Sequence, residues 1–312
     1  MDKQQILAKV AELAKLPKVQ AGAAALLALG LLPKLNRLLT QRKVNNYLTD
    51  NTWDWKSEIV VVTGGSSGIG AMIVAKLARR NVKVIILDMN APQGTLIGDF
   101  FYQVDLSDPS AIASIADRVR TEHGDPTVLI NNAGIGNATP LLDLAEPRIR
   151  KVFEVNIIAL ILLVKEFLPS MMKRNHGHIV NIASMASFST QASNVDYGCS
   201  KAAVLSFSEG LAQELRHVYK APMMRTSVVH PTWVQTPMIS KIKEQGKLQD
   251  PTVSPEEVAD RMVNQLYSTY GAQIVIPESL GWVSLLRGFP GWLQESMRDS
   301  VSLGFLKAMG KD

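Results

Sequence analysis

The chain has one cysteine, Cys199, few aromatics (6%), and no net charge once its first fifty residues are set aside. Each of these absences excludes something. A lone cysteine rules out an intramolecular disulfide and favours a reducing or cytosol-facing setting. The five histidines are scattered, with no His-Glu-x-x-His or paired-cysteine spacing, so no metal site is expected. Residues 1–50 carry eight Lys and Arg against three acids, which is the whole of the +5 charge. The remainder therefore has no electrostatic footprint for nucleic acid. The longest apolar stretch, Val19 to Leu32, spans only about 21 Å as a helix, short of the ~30 Å bilayer core.

What the first fifty residues do contain is a basic, leucine-rich pattern. Ile6, Val10, Leu13 and Ala14 recur at helical spacing up to Pro17. After the apolar run and Pro33, a second amphipathic piece sets Leu35, Leu38 and Leu39 against Lys34, Arg37, Arg42 and Lys43. A secretory signal fits poorly, because polar residues precede the run and basic ones follow it closely. Two readings stand: a segment lying in one leaflet or on a lipid monolayer, or an Ala/Leu-rich helix packed on the body or on a second subunit.

From Glu58 the pattern changes. Ile59-Val60-Val61-Val62 reads as a strand buried on both faces of a parallel sheet. Thr63-Gly64-Gly65-Ser66-Ser67-Gly68-Ile69-Gly70 follows, then a helix from Ala71 to Arg80. A glycine-rich turn between strand and helix lets backbone amides approach a pyrophosphate at the helix N-terminus. Val84-Ile85-Ile86-Leu87 is a second buried strand, and it ends in Asp88, where a carboxylate accepts from an adenosine ribose. A 2′-phosphate there meets like-charge repulsion of about 4 kcal/mol at ~4 Å. No Lys or Arg stands at positions 65, 67, 89 or 90, so NAD is favoured, with NADP as the alternative. Asp88 and Asp105 are too close for a full crossover helix, so a loop or single turn and a strand from Phe100 to Val104 are expected between them. Asp105 either reaches the adenine or caps a turn, with Ser107 or Asp108 starting the next helix.

Tyr197 and Lys201 stand four apart, on one face of an expected helix from Asn194 to His217. Ser184 lies at the polar tip of a buried strand that begins at His178. A long helical pattern runs from Glu146 to Arg174 with Asn156 among its apolar residues, and later strands are expected at Met224–His230 and 273–276.

Thr63-Gly64-x-x-x-Gly68-x-Gly70, Asn131-Asn132-Ala133-Gly134, Asn156, Ser184, Tyr197-x-x-x-Lys201 and His230-Pro231-x-x-Val234-x-Thr236 stand in the order and spacing of the short-chain dehydrogenase/reductase superfamily. The chain resembles that superfamily over roughly residues 57–240. The resemblance implies an enzyme with an α/β fold, a Rossmann-type doubly wound parallel sheet in the order 3-2-1-4-5-6-7. It implies a catalytic set of Asn156, Ser184, Tyr197 and Lys201, with Asn156 in a proton relay, where it positions a water behind Lys201. It implies cofactor contacts from Thr63, Gly64, Ser66, Ser67, Gly68, Ile69, Gly70, Asp88, Asp105, Leu106, Asn132, Ala133, Gly134, Tyr197, Lys201, Pro231, Val234 and Thr236.

The chemistry suits those residue types. Moving a hydride between an alcohol carbon and nicotinamide requires a proton moved at the oxygen. Tyr197 is the acid/base, and its phenol must fall from about 10 toward neutrality, with Lys201 and the oxidised nicotinamide supplying the field. Ser184 holds the substrate oxygen. Cys199 is expected as a small buried residue facing away. His176 and His178, flanking Gly177 at a turn, need no function.

Residues 231–250 correspond to the family's mobile substrate loop, with Thr232 in place of the common glycine. His-Pro-Thr-Trp at 230–233 is similar to the branch of lipid-droplet-associated 17β-hydroxysteroid and retinol dehydrogenases, which also carries an N-terminal hydrophobic anchor. Beyond Ile276 an apolar series including Trp282, Leu285, Trp292 and Phe305 forms core, a dimer face or a lipid-facing surface. The expected organisation is thus a membrane- or lipid-surface segment (1–50), one dehydrogenase domain (51–277) and an amphipathic extension (278–312). The implied function is oxidation of a steroid, retinol or long-chain alcohol, or the reverse reduction. The alternatives are an NADPH-dependent 3-ketoacyl-lipid reductase and a silent lipid-surface scaffold. A homodimer and a cytosol-facing location on endoplasmic reticulum or lipid droplet complete the expectation.

Overall fold

The apolar runs become the centre of a parallel sheet because each is buried on both faces. In the computed structural model, which describes residues 5, 16–92, 99–240 and 252–310, β1 (Ile59–Thr63) lies beside β2 (Lys83–Asp88) and β4 (Val128–Asn131). β3 (Asp99–Gln103), β5 (His178–Ile182), β6 (Arg225–Pro231) and β7 (Gln273–Ile276) complete it. The seven strands run parallel in the order β3-β2-β1-β4-β5-β6-β7, as expected.

Strand alternation splits the core into two layers. Val61, Ile85, Leu87, Leu129 and Ile179 face α3 (Pro109–His123), α5 (Ala159–Arg174) and α6 (Val195–His217). Val60, Val62, Val84, Ile86, Val128 and Ile130 face α2 (Gly68–Ala78) and α7 (Pro255–Tyr267). Each such side chain taken from water contributes about 1.5–3 kcal/mol, and together they fix where the strands end. The sheet order reverses at β1, and its polar carboxyl ends at Gly64, Asp88, Asn132 and Ser184 border the crevice that results.

Two helical expectations are corrected. Pro33 does not end a helix: α1 runs continuously from Pro17 to Val44 with Pro33 inside it. The Glu146–Arg174 pattern is not one α-helix. α4 (Glu146–Phe153) passes into a π turn, Glu154–Ile158, before α5 begins, because a single wide turn leaves the apolar period on either side nearly intact. The expected helix over Ile6 to Ala14, residues 93–98 of the expected link between Asp88 and Asp105, and residues 241–250 of the expected substrate loop lie outside the described residues. By contact the chain divides into units 1–47 and 48–312. The apolar stretch after β7 forms 3-10 turns over Glu278–Gly288 and then α8 (Gly291–Ala308).

Candidate active site

The glycine-rich turn is built around close approach. Gly64 sits at φ +64° and donates its N–H to Leu87 O at 2.9 Å, a conformation other residues rarely adopt. A Cβ on Gly70 would lie 2.1 Å from Gly64 O, so only glycine lets α2 start so near β1. Thr63 Oγ1 accepts from the N–H groups of Asn132 and Ala133, both at 3.0 Å, while Asn132 Nδ2 donates to the carbonyls of Thr63 and Gly64. These bonds tie the turn after β1 to the turn after β4.

A cavity of about 570 Å³ opens at these strand ends. Its walls include Gly64, Ser67, Gly68, Ile69, Asp88, Asp105, Leu106, Asn132, Ala133, Gly134, Ser184, Tyr197, Lys201, Pro231, Val234 and Thr236. Thr63, Ser66, Gly70 and Asn156 are not on the wall. Ser67 leaves the first turn of α2 without a side-chain cap, and Ser66 Oγ is buried without a partner. Uncapped amides at a glycine-lined helix N-terminus fit a pyrophosphate.

Asp88 accepts from the N–H groups of Ser66 (3.0 Å) and Asn90 (3.1 Å). Both bonds fix its carboxylate at the end of β2, against the cavity. Asp105 makes the turn-capping bonds expected of it. Its Oδ1 accepts from Ser107 Oγ and N–H, which holds its carboxyl below the usual range, and its residue still lines the cavity. Asp108 caps α3 by accepting from Ser110 N.

On α6, Tyr197 and Lys201 share a face as their spacing requires, with Lys201 Nζ 5.7 Å from the Tyr197 ring centroid. Lys201 is 3% exposed and donates to Ile182 O at 2.7 Å. Burial pushes its ammonium from 10.5 down to about 8. Burial likewise pushes the Tyr197 phenol above 10, and the neighbouring Ser184 side chain pulls it partly back. The protein alone therefore does not supply the lowering expected from Lys201, because the two groups are desolvated together, which disfavours the charged form of each. Ser184 Oγ also accepts from Ala186 N at 3.1 Å, which caps the short turn after β5.

Asn156 sits in the π turn, 1% exposed. Its Oδ1 accepts from Ile135 N at 2.8 Å, and its Nδ2 donates to Ile135 O and Ser200 Oγ, both at 2.9 Å. Both amide protons are committed within the protein, and the side chain braces the 134–138 segment. That segment is pressed to the tyrosine: a Cβ on Gly136 would lie 3.2 Å from Tyr197 Cδ2. Its other end is held by Asn137, which donates to the buried Asp196 at 2.6 Å.

Cys199 is exposed, not buried, since a residue midway between Tyr197 and Lys201 on a helix points away from the face they share. His178 is buried and bonded to Ser227 Oγ at 2.9 Å, a core role.

Sequence reasoning missed most of the other end of the cavity, where Met185, Trp233, Met238, Ile239 and Phe305 give an apolar wall and Gln191 and Asn194 a hydrogen-bonded amide pair. Phe305 comes from α8, is 1% exposed and stacks on Trp233, with ring centroids 5.2 Å apart. Ser302 on the same helix accepts from Ala192 N at 3.1 Å, docking α8 on the segment that follows Ser184. Other large side chains of the stripe, including Trp282, Leu285 and Trp292, are exposed, as is Leu303.

Comparison with known proteins agrees with this geometry. The family model for short chain dehydrogenase matches residues 58–247. Dehydrogenase RED2 of Cochliobolus heterostrophus is 43% identical over 207 residues, covering 65% of this chain and 78% of that one. Estradiol 17-beta-dehydrogenase 11 of Mus musculus is 31% identical over 290 residues, covering 90% and 96%. Among solved structures, 4-hydroxyisoleucine dehydrogenase complexed with NADH aligns at a TM-score of 0.61 and 27% identity, over 70% of this chain and 96% of that one.

Proposed function

The chain belongs to the short chain dehydrogenase family, as an oxidoreductase acting on CH–OH groups with NAD(P), and we propose that it interconverts a lipophilic alcohol of steroid, retinol or long-chain type with its ketone or aldehyde. The observation that carries this reading is that Tyr197 and Ser184 share a cavity walled also by Met185, Trp233, Met238, Ile239 and Phe305. Apolar walls with few polar groups select an apolar substrate around one reacting oxygen.

In this scheme Tyr197 takes the carbinol proton during oxidation and returns it during reduction. Ser184 holds the oxygen, since a hydroxyl can donate to it as ketone and accept from it as alcohol. Lys201 gives one of its three donors to Ile182 O, leaving two for the nicotinamide ribose. Bound nicotinamide supplies the hydride chemistry and, when oxidised, a positive charge that favours the phenolate. Asn156 acts by keeping the 134–138 segment against Tyr197.

Asp88 favours NAD over NADP, because its charge opposes a 2′-phosphate. At the other end of the chain, α1 exposes Leu31, Leu32, Leu35, Leu38 and Leu39 among Lys34, Arg37, Arg42 and Lys43. No helix among the described residues is long and apolar enough to cross a membrane, and this composition suits a helix lying on a cytosol-facing lipid surface, of the endoplasmic reticulum or a lipid droplet. A homodimer through α5 and α6 is supported by Ile161, Leu162, Leu205 and Phe207, which remain partly uncovered.

A panel of retinols, steroids and long-chain alcohols assayed with NAD and with NADP by absorbance at the reduced nicotinamide band tests the reading. Turnover of a lipophilic alcohol with NAD, lost by at least about 100-fold in Tyr197→Phe, is expected. Turnover confined to small polar alcohols, or a Tyr197→Phe enzyme at full rate, overturns it.

A further inference from the structure

The main-chain ladder between β6 and β5 ends where Ala183 donates to Val229 O at 2.8 Å. Pro231, two residues further along β6, has no N–H with which to continue it. At that point the side chain of His230 takes over. Its Nδ1 lies 3.1 Å from Ser184 O and 2.8 Å from Ser187 Oγ. A carbonyl only accepts, so the proton must be on Nδ1, and the tautomer follows from the partners. Ser187 Oγ gives its own proton to Ser184 O and so accepts from the ring. With Ser187 N donating at 3.0 Å, the Ser184 carbonyl is held from three directions.

The other ring nitrogen makes the choice of histidine informative. Nε2 is bare, buried and without a partner, in a ring that is 0% exposed and packed against Phe188 at 4.4 Å between centroids. Leaving a polar atom this way is costly, and a phenyl or aliphatic side chain would avoid that cost. What those side chains lack is the Nδ1 donor. Burial and the nearby Lys201 charge push the imidazole down to about 4, so the neutral donor form persists across the working pH range.

We propose that His230 is a positioning residue for the reaction: by fixing the Ser184 carbonyl it sets the direction of the Ser184 hydroxyl toward Tyr197 and the substrate oxygen. The inference rests on the reading of Ser184 and Tyr197 as the reacting pair. Catalysis is sensitive to small misplacements of such groups, so loss of this anchor should appear in kcat and not in cofactor affinity.

Asparagine and glutamine at position 230 separate this role from a structural one. An asparagine amide reaches the place of Nδ1, whereas a glutamine amide reaches the place of Nε2. His230→Asn should stay within about threefold of wild-type kcat, and His230→Gln and His230→Phe should lose roughly ten- to a hundredfold. KM for the alcohol and the NADH dissociation constant from fluorescence titration should stay within about threefold in all three. Equal loss in Asn and Gln variants, or an undiminished kcat in the Gln variant, overturns the proposal. If His230→Phe does not fold, the Asn and Gln pair still decides. Tyr197→Phe in parallel separates the failures: if it turns over normally, the site reading itself is wrong; if it is inactive while His230→Gln is not, only the role of His230 falls.

Discussion

Phe305 of the last helix and Trp233 after β6 lie stacked with their planes 23° apart, and both line the cavity that holds Tyr197. The C-terminal stretch is thereby a wall of the site. Phe305→Ala should raise KM for a lipophilic alcohol about tenfold or more, because a buried phenyl contributes about 3–5 kcal/mol to packing. The NADH dissociation constant should not move. Since part of that loss falls on folding, Phe305→Leu, with a smaller void, serves as the companion variant. Unchanged KM in both variants would remove Phe305 from the substrate wall.

Asp88 offers a separate test of the cofactor. Its carboxylate accepts from Ser66 and Asn90, so Asp88→Ala removes an anchor of the glycine turn as well as a charge. Asp88→Asn keeps one acceptor oxygen and removes only the charge. It should weaken NAD about tenfold and narrow its preference over NADP by at least as much. Equal NAD affinity before and after the exchange, by fluorescence titration, would sink the assignment.

Acid should destabilise the fold through its buried histidines. Burial, with Arg225 nearby, pushes His178 from 6.5 to about 3, so between those values the unfolded chain binds a proton that the folded one does not. Stability is then complete above about pH 6.5 and falls as pH drops toward 3. The slope approaches 1.4 kcal/mol per pH unit, or about 2 kcal/mol from pH 7 to 5. Urea unfolding at both pH values should show this drop, and His178→Asn should reduce it. The same drop in variant and wild type would assign it to other groups.

Removing residues 1–47, the first contact unit, should release the protein from vesicles carrying anionic lipid while leaving NADH binding intact. Flotation of the truncated protein with the vesicles would place the lipid contact elsewhere, with exposed Trp292 and Leu303 of α8 as the next residues to substitute.

Much of this site was legible because its parts are short and local. A β-branched run followed at once by glycines, a carboxylate ending the next run, and a Tyr and Lys one helical turn apart each report on themselves, and the sheet order came from the family resemblance that these motifs carry. The π turn at Asn156 was not legible, because one wide turn scarcely disturbs an apolar period. Nor was the helix through Pro33, since the clash a proline creates is with its own preceding turn and a helix can bend to absorb it. Phe305 was noted only as part of a stripe; its period says that it is apolar and not what it meets.

The sequence by itself determined which chemical groups the protein has, at which ends of which strands and on which face of α6, because strand and helix periods are properties of neighbouring residues. Only the tertiary structure decided what those groups feel. It brought Phe305 to Trp233, laid Gly136 against Tyr197, turned Cys199 outward and hung the Ser184 carbonyl from His230. It also removed water from Tyr197 and Lys201 together, raising one pKa and lowering the other, and desolvation is a sum over everything packed around a group, which no local pattern contains.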